Sequence, residues 1–480
     1  MSENKVEFYG GWVVSIIPMV VFLISCIVFF VWFKVFDMVV LAVGGFLGLL
    51  LGAVFAKSSE KYWNSVMKGI GSPTSVAIVV ILLIIGIFTK LMAVSGVSQG
   101  FVWLADIIGM KGGIFTAFTF LSTCLITTAT GSSIGTLFTA FPILFPAGIL
   151  LGSNPGVLAG AILSGAVFGD NLAPISDVTI ATSSTQEFKN KTGTADIAGV
   201  VLYRLKYALI AGIISLVLFA IFGGGGTITD GAEAILEQNM NPAGLWMLLP
   251  VIALLFTSIK TRDIFKSVTV GIVTGTVIGL ITGVFTLKTI FCVENGVIKG
   301  FVFEGFSGMI GICIFCIALF GIMGVLEESG TMNKVIETIC QSKLSKTVRG
   351  TELLIAIGTI VVTALLGGVT SASTLTYGPV VNDIGKRMNI HPYRRANFLS
   401  GYANSLPAII PFISAFIFIS ATVIEPMSKE FDYIPQVMPI DITLGSFYPI
   451  MLFIVLTISI LTGWDVKFEG KNGELSQENI

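Results

Sequence analysis

Runs of about twenty apolar residues recur along this chain, and no other feature restricts its fold as much. A helix needs about 20 such residues to cross the hydrocarbon of a bilayer. Residues 12–33, 36–56, 73–94, 156–185, 197–223, 245–259, 265–287, 305–328, 392–425 and 443–463 meet that need, giving ten candidate spans. Only 11% of the 480 residues are charged, against about a quarter in soluble domains. Such a surface cannot face water all round, which excludes an ordinary soluble enzyme. The chain is also too apolar for disorder. Its runs are continuous, without the alternation of an outer-membrane barrel. The fold class expected is therefore an all-α polytopic membrane protein. The balance of 27 basic and 28 acidic residues gives no sign of a nucleic-acid partner; the lipid bilayer is the partner that composition demands. The run from Trp12 to Phe33 is too long for a signal-peptide core and reads as the first span.

Two further apolar regions, 113–151 and 351–388, each read as two shorter helices joined by a polar Gly/Ser/Thr tip, that is, as re-entrant hairpins. The stretch 223–241 holds Asp230, Glu233 and Glu237 but no Lys or Arg. With that stretch outside and each hairpin entering and leaving on one side, 21 basic residues fall inside and 6 outside. This is the asymmetry of a cytoplasmic face. Both termini are thus expected in the cytoplasm, with the protein multi-pass in the cell membrane. Segments 57–70 and 333–345 read as amphipathic surface helices. Lys90 is expected to snorkel, Asp37 and Asp106 to be interfacial, and Glu327 and Glu328 to be solvated charges at a helix end, with a proton site as the alternative. The six cysteines read as buried thiols. His391 is the only histidine, which leaves almost no material for a zinc site or a His-based triad.

The two halves echo each other. "IGIFTKLMAVSG" (85–96) resembles "FGIMGVLEESG" (320–330), "ATGSS" (129–133) falls opposite "VTSAS" (369–373), and "ILSGAVFGDNLAP" (162–174) resembles "FLSGYANSLPA" (398–408). The offsets are 235, 240 and 236 residues, in the same order. Each copy holds five crossings and one hairpin; five is odd, so the second copy enters inverted. The expected organisation is a first repeat at 1–224 (hairpin 113–151, broken helix 156–185) and an extracytoplasmic linker at 225–243. A second repeat follows at 244–464 (hairpin 351–388, broken helix 392–425), with a cytoplasmic tail at 465–480. Inverted repeats with discontinuous helices are the architecture of secondary transporters, with the site where the breaks meet near the midplane.

The stretch "FGDNLAPISDVTIATSS" (168–184) interrupts an apolar segment with Asp170, Asn171, Ser176, Asp177 and Thr179. A carboxylate at membrane depth costs about 2.5–3.5 kcal/mol on insertion scales. Two of them seven residues apart need a reason. Pro174 lacks an N–H and frees an upstream carbonyl. Carboxylates, hydroxyls and freed carbonyls are hard oxygen ligands that suit Na⁺, or a proton carried on an Asp. The hairpin tips "TTATGSSIGT" (127–136) and "GGVTSASTLTYG" (367–378) supply Thr130, Gly131, Ser132 and Ser133, and Thr370, Ser371, Ser373 and Thr374. Helices starting at Gly131 and Ser371 would point N–H dipoles at an anion. Asn404 and Ser405 mark the second broken helix. They are uncharged, so the acidic work falls on the first half.

These residues resemble a known family. "GDNLAPISDVT" is similar to the GD-(K)-x-(S/A)-P-x-SD-T-T signature of the NhaC-type sodium/proton antiporters, and "ATGSSIGT" to that family's TGSSWGT segment. The resemblance implies two inverted repeats, an elevator-like motion, a homodimer, and Na⁺ and H⁺ as coupling ions without a cofactor. It makes Asp170, Ser176, Asp177, Thr179 and the tip Thr130–Ser133 the ion-site candidates. Asn171 stands where a basic residue often sits, and Ile134 where Trp often sits, which opens the question of the transported species. The runner-up is a Na⁺- or H⁺-coupled exchanger of a small organic anion or amino acid. An intramembrane protease is a distant third: serine types need a His, aspartyl types a "YD", and neither is in place. A channel is disfavoured by the inverted repeat, and no nucleotide-binding loop is present.

Overall fold

The computed structural model describes residues 5–33, 38–226, 240–261, 263–294, 296–411 and 413–478. Lys34, Asp37, Arg262 and the acidic residues Asp230, Glu233 and Glu237 lie outside the described residues, as does most of the 223–241 linker. The chain is helical nearly throughout. Ten helices among the described residues are long and apolar enough to cross a membrane.

The first half runs α1 (Ile17–Ile27), α2 (Met38–Phe55), α3 (Ser59–Ile70), α4 (Pro73–Val94), α5 (Val97–Ile108), α6 (Gly112–Thr130), α7 (Ser133–Leu150), α8 (Pro155–Leu172), α9 (Asp177–Thr185) and α10 (Ile197–Phe222). The second half runs α11 (Leu248–Thr261), α12 (Ile264–Ile281), α13 (Leu287–Ile290), α14 (Phe301–Gly308), α15 (Ile310–Glu328), α16 (Thr331–Cys340), α17 (Val348–Leu365), α18 (Thr370–Arg387), α19 (Pro392–Ala403), α20 (Ala415–Glu430), α21 (Pro439–Gly445) and α22 (Phe447–Thr462). Start signals are local and strong. Ser58, Asn154, Ser176, Asp196 and Asp263 each cap a helix through a side-chain oxygen.

The pairing of elements follows one pattern in both halves. α1 packs on α2, and α11 on α12. α2 lies against α15, and α12 against α4. α7 rests on α20, and α9 on α18. The α6–α7 hairpin has its base beside the C-terminal end of α10, where Asn154 N–H donates to the Gly223 carbonyl at 2.8 Å. At the base of the α17–α18 hairpin, Lys386 pairs with Glu187 of the α9–α10 connection at 2.6 Å. Close approach makes the α6–α8 contact possible: a Cβ at Gly169 would sit 2.3 Å from Thr127 Cβ.

Several expectations need correction. The hairpin arms are 18 or 19 residues long, about 27–28 Å at 1.5 Å per residue, so they are full-length helices and not short ones. α5 was not foreseen as an element; only its Asp106 was read, as interfacial. Asp106 on α5 pairs with Lys111 at 3.0 Å. The tail at 465–480 is not a free end. Strands β3 (Phe468–Glu469) and β4 (Leu475–Ser476) form a small hairpin. The buried Glu469 carboxylate accepts the backbone N–H groups of Lys189 and Asn190 at 2.6–2.9 Å. An earlier hairpin, β1 (Cys292–Glu294) with β2 (Val297–Lys299), was also not foreseen, and Cys292 on it and Cys316 are only half-buried. Lys90 pairs with Glu304 at 3.2 Å and Glu430 at 2.7 Å, tying α4 to α14 and α20. Glu328 pairs with Lys68, while Glu327 is exposed. Arg204, Arg394 and Arg395, counted as flanking charges, are wholly buried. Arg394 is paired with the equally buried Glu352.

Candidate functional site

The α8–α9 break creates the candidate site. Pro174 supplies no N–H, α8 ends at Leu172, and Ser176 restarts the chain as the N-cap of α9. The Ser176 hydroxyl has two roles. Its oxygen accepts the Val178 N–H at 3.2 Å, and its proton goes to Asp170 Oδ1 at 2.7 Å. The cap of one half-helix is thereby tied to the carboxylate at the end of the other. Asp170 is 5% exposed, whereas Asp177, one residue beyond the cap, is exposed.

Both carboxylates border one cavity of about 560 Å³. Its polar wall is made by the first hairpin tip (Thr130, Gly131, Ser132, Ser133) and the second (Thr370, Ser371). Its remaining wall is largely apolar and comes from α4, α15 and α20, with Ile81, Phe315 and Phe416 among the lining residues. Pro73, Ser258, Ile264 and Phe265 border it from the ends of α4, α11 and α12. Basic residues Lys68, Lys260 and Lys266 flank those ends.

The tips differ from expectation in register. Gly131 does not start a helix: it terminates α6 with φ +68°, and α7 begins at Ser133 behind the Ser132 cap, whose Oγ accepts the Gly135 N–H at 3.1 Å. A Cβ at Gly131 would lie 2.5 Å from Ile175 Cγ1. The tip is therefore pressed onto the α8–α9 break. α18 begins one residue early, at Thr370, and Val369 gives it no side-chain cap.

Not every candidate reaches the cavity. Asn171 is buried away from it, donating to Tyr448 at 3.2 Å and accepting from Ser400 at 3.0 Å. Thr179 accepts from Arg204 at 3.1 Å and is likewise turned inward. Ser373 bonds Thr363 at 2.9 Å and Thr374 bonds the Ser371 carbonyl at 2.9 Å, so both support the second tip from within. Ser405 bonds the Tyr402 carbonyl at 2.8 Å. Asn404 is fully buried, and its amide makes no hydrogen bond among the described residues. The residue that sequence reasoning missed is Arg204. Its guanidinium donates to the Asn171 carbonyl and to Thr179 and Thr182, from inside the apolar helix α10. With Lys206 two residues on, Arg204 read as part of a flanking basic pair, and the sequence carried no separate signal for it.

A profile of the Na⁺/H⁺ antiporter family matches residues 6–224, which contain the break and the first tip. Over that stretch the chain is similar to the Na⁺/H⁺ antiporter family. A malate-2H⁺/Na⁺-lactate antiporter of Bacillus subtilis is 26% identical, over 67% of this chain and 70% of its own. The Na⁺/H⁺ antiporter NhaC of Alkalihalophilus pseudofirmus is 26% identical over 81% of this chain and 84% of its own. An arginine/ornithine antiporter of Halobacterium salinarum is 24% identical over 93% and 92%.

Proposed function

We propose that the protein is a Na⁺/H⁺ antiporter working by alternating access, with Asp170 as the coupling carboxylate. The observation that carries this reading is the placement of Asp170: buried at a helix break, bonded to the Ser176 cap, and bordering a cavity that Asp177 and both hairpin tips also line. A carboxyl so placed is neutral with a proton and tolerates ionisation when Na⁺ is bound. Competition of the two ions for one group gives antiport, provided the loaded or protonated site reorients and the bare anion does not. Asp177 receives the ion from the cavity, and Ser176, Thr130 and Ser133 offer neutral oxygens. The cavity borders helix ends flanked by Lys68, Lys260 and Lys266, which supports an inward-facing arrangement in the cell membrane with both termini cytoplasmic. The mirrored pairings of α2 with α15 and α12 with α4 support two inverted repeats, 1–224 and 244–464. In this reading the hairpins and broken helices form the moving unit, carried against a homodimeric scaffold.

A second reading, coupled exchange of a small organic anion or amino acid, is favoured by the cavity itself. At about 560 Å³ it far exceeds a bare ion and falls in the roughly 300–1,000 Å³ range of small-molecule sites. Two relatives are named for malate and lactate, and for arginine and ornithine. Proteoliposomes with an imposed pH gradient separate the readings. Na⁺ alone should dissipate the gradient in the wild type, and Asp170→Asn should abolish the response while the protein remains folded. A gradient that responds only when a carboxylate or amino acid is added sinks the first reading in favour of the second.

A further inference from the structure

The cavity at the α8–α9 break has a charge pattern and a wall that a bare ion does not fully use. Among the described residues that line it, the charged side chains are Asp170 and Asp177, and no Lys, Arg or His is present. Both carboxylates have acceptor capacity to spare. Asp170 is 5% exposed and is engaged through Oδ1 alone, by Ser176. Asp177 makes no side-chain hydrogen bond and no ion pair among the described residues. The basic residues around the site are committed elsewhere. Lys68 pairs with Glu328, Lys266 pairs with Asp263 at 3.5 Å, and Lys260 lies over the Phe256 ring at 6.0 Å. Arg204, wholly buried, donates to the Asn171 carbonyl and to Thr179 and Thr182. An anion placed here would meet two carboxylates and no basic side chain among the described residues, so its desolvation would go uncompensated.

Another part of the wall is aromatic. Phe315 and Phe320 of α15 and Phe416 and Phe418 of α20 line the cavity. Phe315 and Phe418 stand edge to face, with ring centroids 4.7 Å apart. Such rings bury apolar area and present negative faces that attract a cation. Na⁺ satisfies the carboxylates but leaves this wall uncovered, because the cavity holds about 560 Å³. A ligand that matches both parts has a positive head and an apolar body.

We propose that this cavity binds organic ammonium ions, with an amine head held by Asp170 and Asp177 and an apolar or aromatic body against Phe315, Phe416 and Phe418. This rests on the reading of the cavity as the solute site, and it narrows the organic solute to a cation. An alkylammonium has three N–H donors and no acceptor. The free Asp170 oxygen, the unpaired Asp177 and the hydroxyls of the first hairpin tip are acceptors that suit it. The amine and Na⁺ are then alternative occupants of the same carboxylates, and each excludes the other.

Phenethylammonium carries both parts and is cationic at neutral pH. Equilibrium dialysis of the radiolabelled probe against the purified full chain in detergent, in Na⁺-free buffer, reads its binding without any transport. The wild type should bind it saturably, which separates a site from uptake into detergent, and added Na⁺ should displace it. Phenethyl alcohol and hydrocinnamate keep the ring but carry no charge or a negative one. Each should compete about tenfold or more weakly than unlabelled amine, the worth of a charge-assisted hydrogen bond. Asp177→Asn should weaken binding by a similar factor of about ten. Absence of saturable binding in the wild type overturns the proposal. So does hydrocinnamate competing as well as the amine, which would mark an anion site, or phenethyl alcohol doing so, which would mark a merely apolar one. Unchanged binding in both Asp170→Asn and Asp177→Asn overturns it as well. The three-ligand series is run on the wild type, so a variant that fails to fold does not remove the test. A wild type that binds the amine but moves no protons with Na⁺ defeats the Na⁺/H⁺ reading and leaves this site standing; the reverse result defeats this site alone.

Discussion

His391 is the clearest single-residue case of chemistry set by placement. Nothing in its sequence neighbourhood marks it, but the tail hairpin covers it, and its ring lies against Phe188 and Tyr393. Its Nε2 faces the Gly473 carbonyl at 3.3 Å. Burial pushes the ring down from 6.5 to about 4. Between those values the unfolded chain binds more protons than the folded one, so stability rises with pH across that window. The contribution is present above about 6.5 and is lost as pH falls toward 4. At about 1.4 kcal/mol per unit it amounts to at most about 3.5 kcal/mol. Amide exchange in 463–476, corrected for its intrinsic rate, should therefore accelerate between pH 7 and pH 4.5. His391→Gln should remove that step. Equal acceleration in both proteins would show that another group holds the tail.

At the scale of elements, the first hairpin tip and the α8–α9 break behave as one device. Gly131 takes the left-handed conformation that ends α6, and its bare Cα lets Ile175 approach. An Ala there adds about 1–2 kcal/mol of backbone strain and drives a methyl into Ile175. Gly131→Ala should leave the protein in the membrane but lower Na⁺-driven transport about tenfold or more, measured in proteoliposomes at matched protein content. Wild-type rates would mean that the tip is not pressed on the break during transport. The break itself was legible in the sequence because Pro174 and two carboxylates in an apolar run have few structural explanations. α5 was not legible, because Ser98, Gln99 and Gly100 interrupt its apolar run before Phe101, Val102 and Ala105.

For the whole molecule, the orientation rests on an asymmetry of charge, and three of the charges turned out not to be loop residues. Arg204, Arg394 and Arg395 are interior, yet removing them leaves the inside majority intact. In a cysteine-free background, Lys288→Cys, exposed next to the β1–β2 hairpin, should label with an impermeant maleimide from outside intact cells. Ser59→Cys and Lys343→Cys, both exposed, should label only after the cytoplasmic face is opened. Labelling of Lys343→Cys from outside would break the inverted arrangement of the halves.

The sequence by itself determined the all-helical, membrane-type character of the chain and the position of the α8–α9 break. Each of these follows from local rules: apolar length, missing donors at proline, Ser and Asp caps, and the cost of a carboxylate in hydrocarbon. It also put Asp170, Asp177 and the Thr130–Ser133 tip forward together, because their polarity is unexplained where they stand. The tertiary structure decided which candidates share a cavity. It turned Asn171, Thr179, Ser373 and Thr374 inward, paired Lys90 across three helices, and folded the tail onto the α9–α10 loop. It alone revealed Arg204 as the partner of the break. These outcomes depend on contacts between residues far apart in the chain. A buried arginine and a flanking one read the same in sequence, and only the packing of α10 against α8 and α9 separates them.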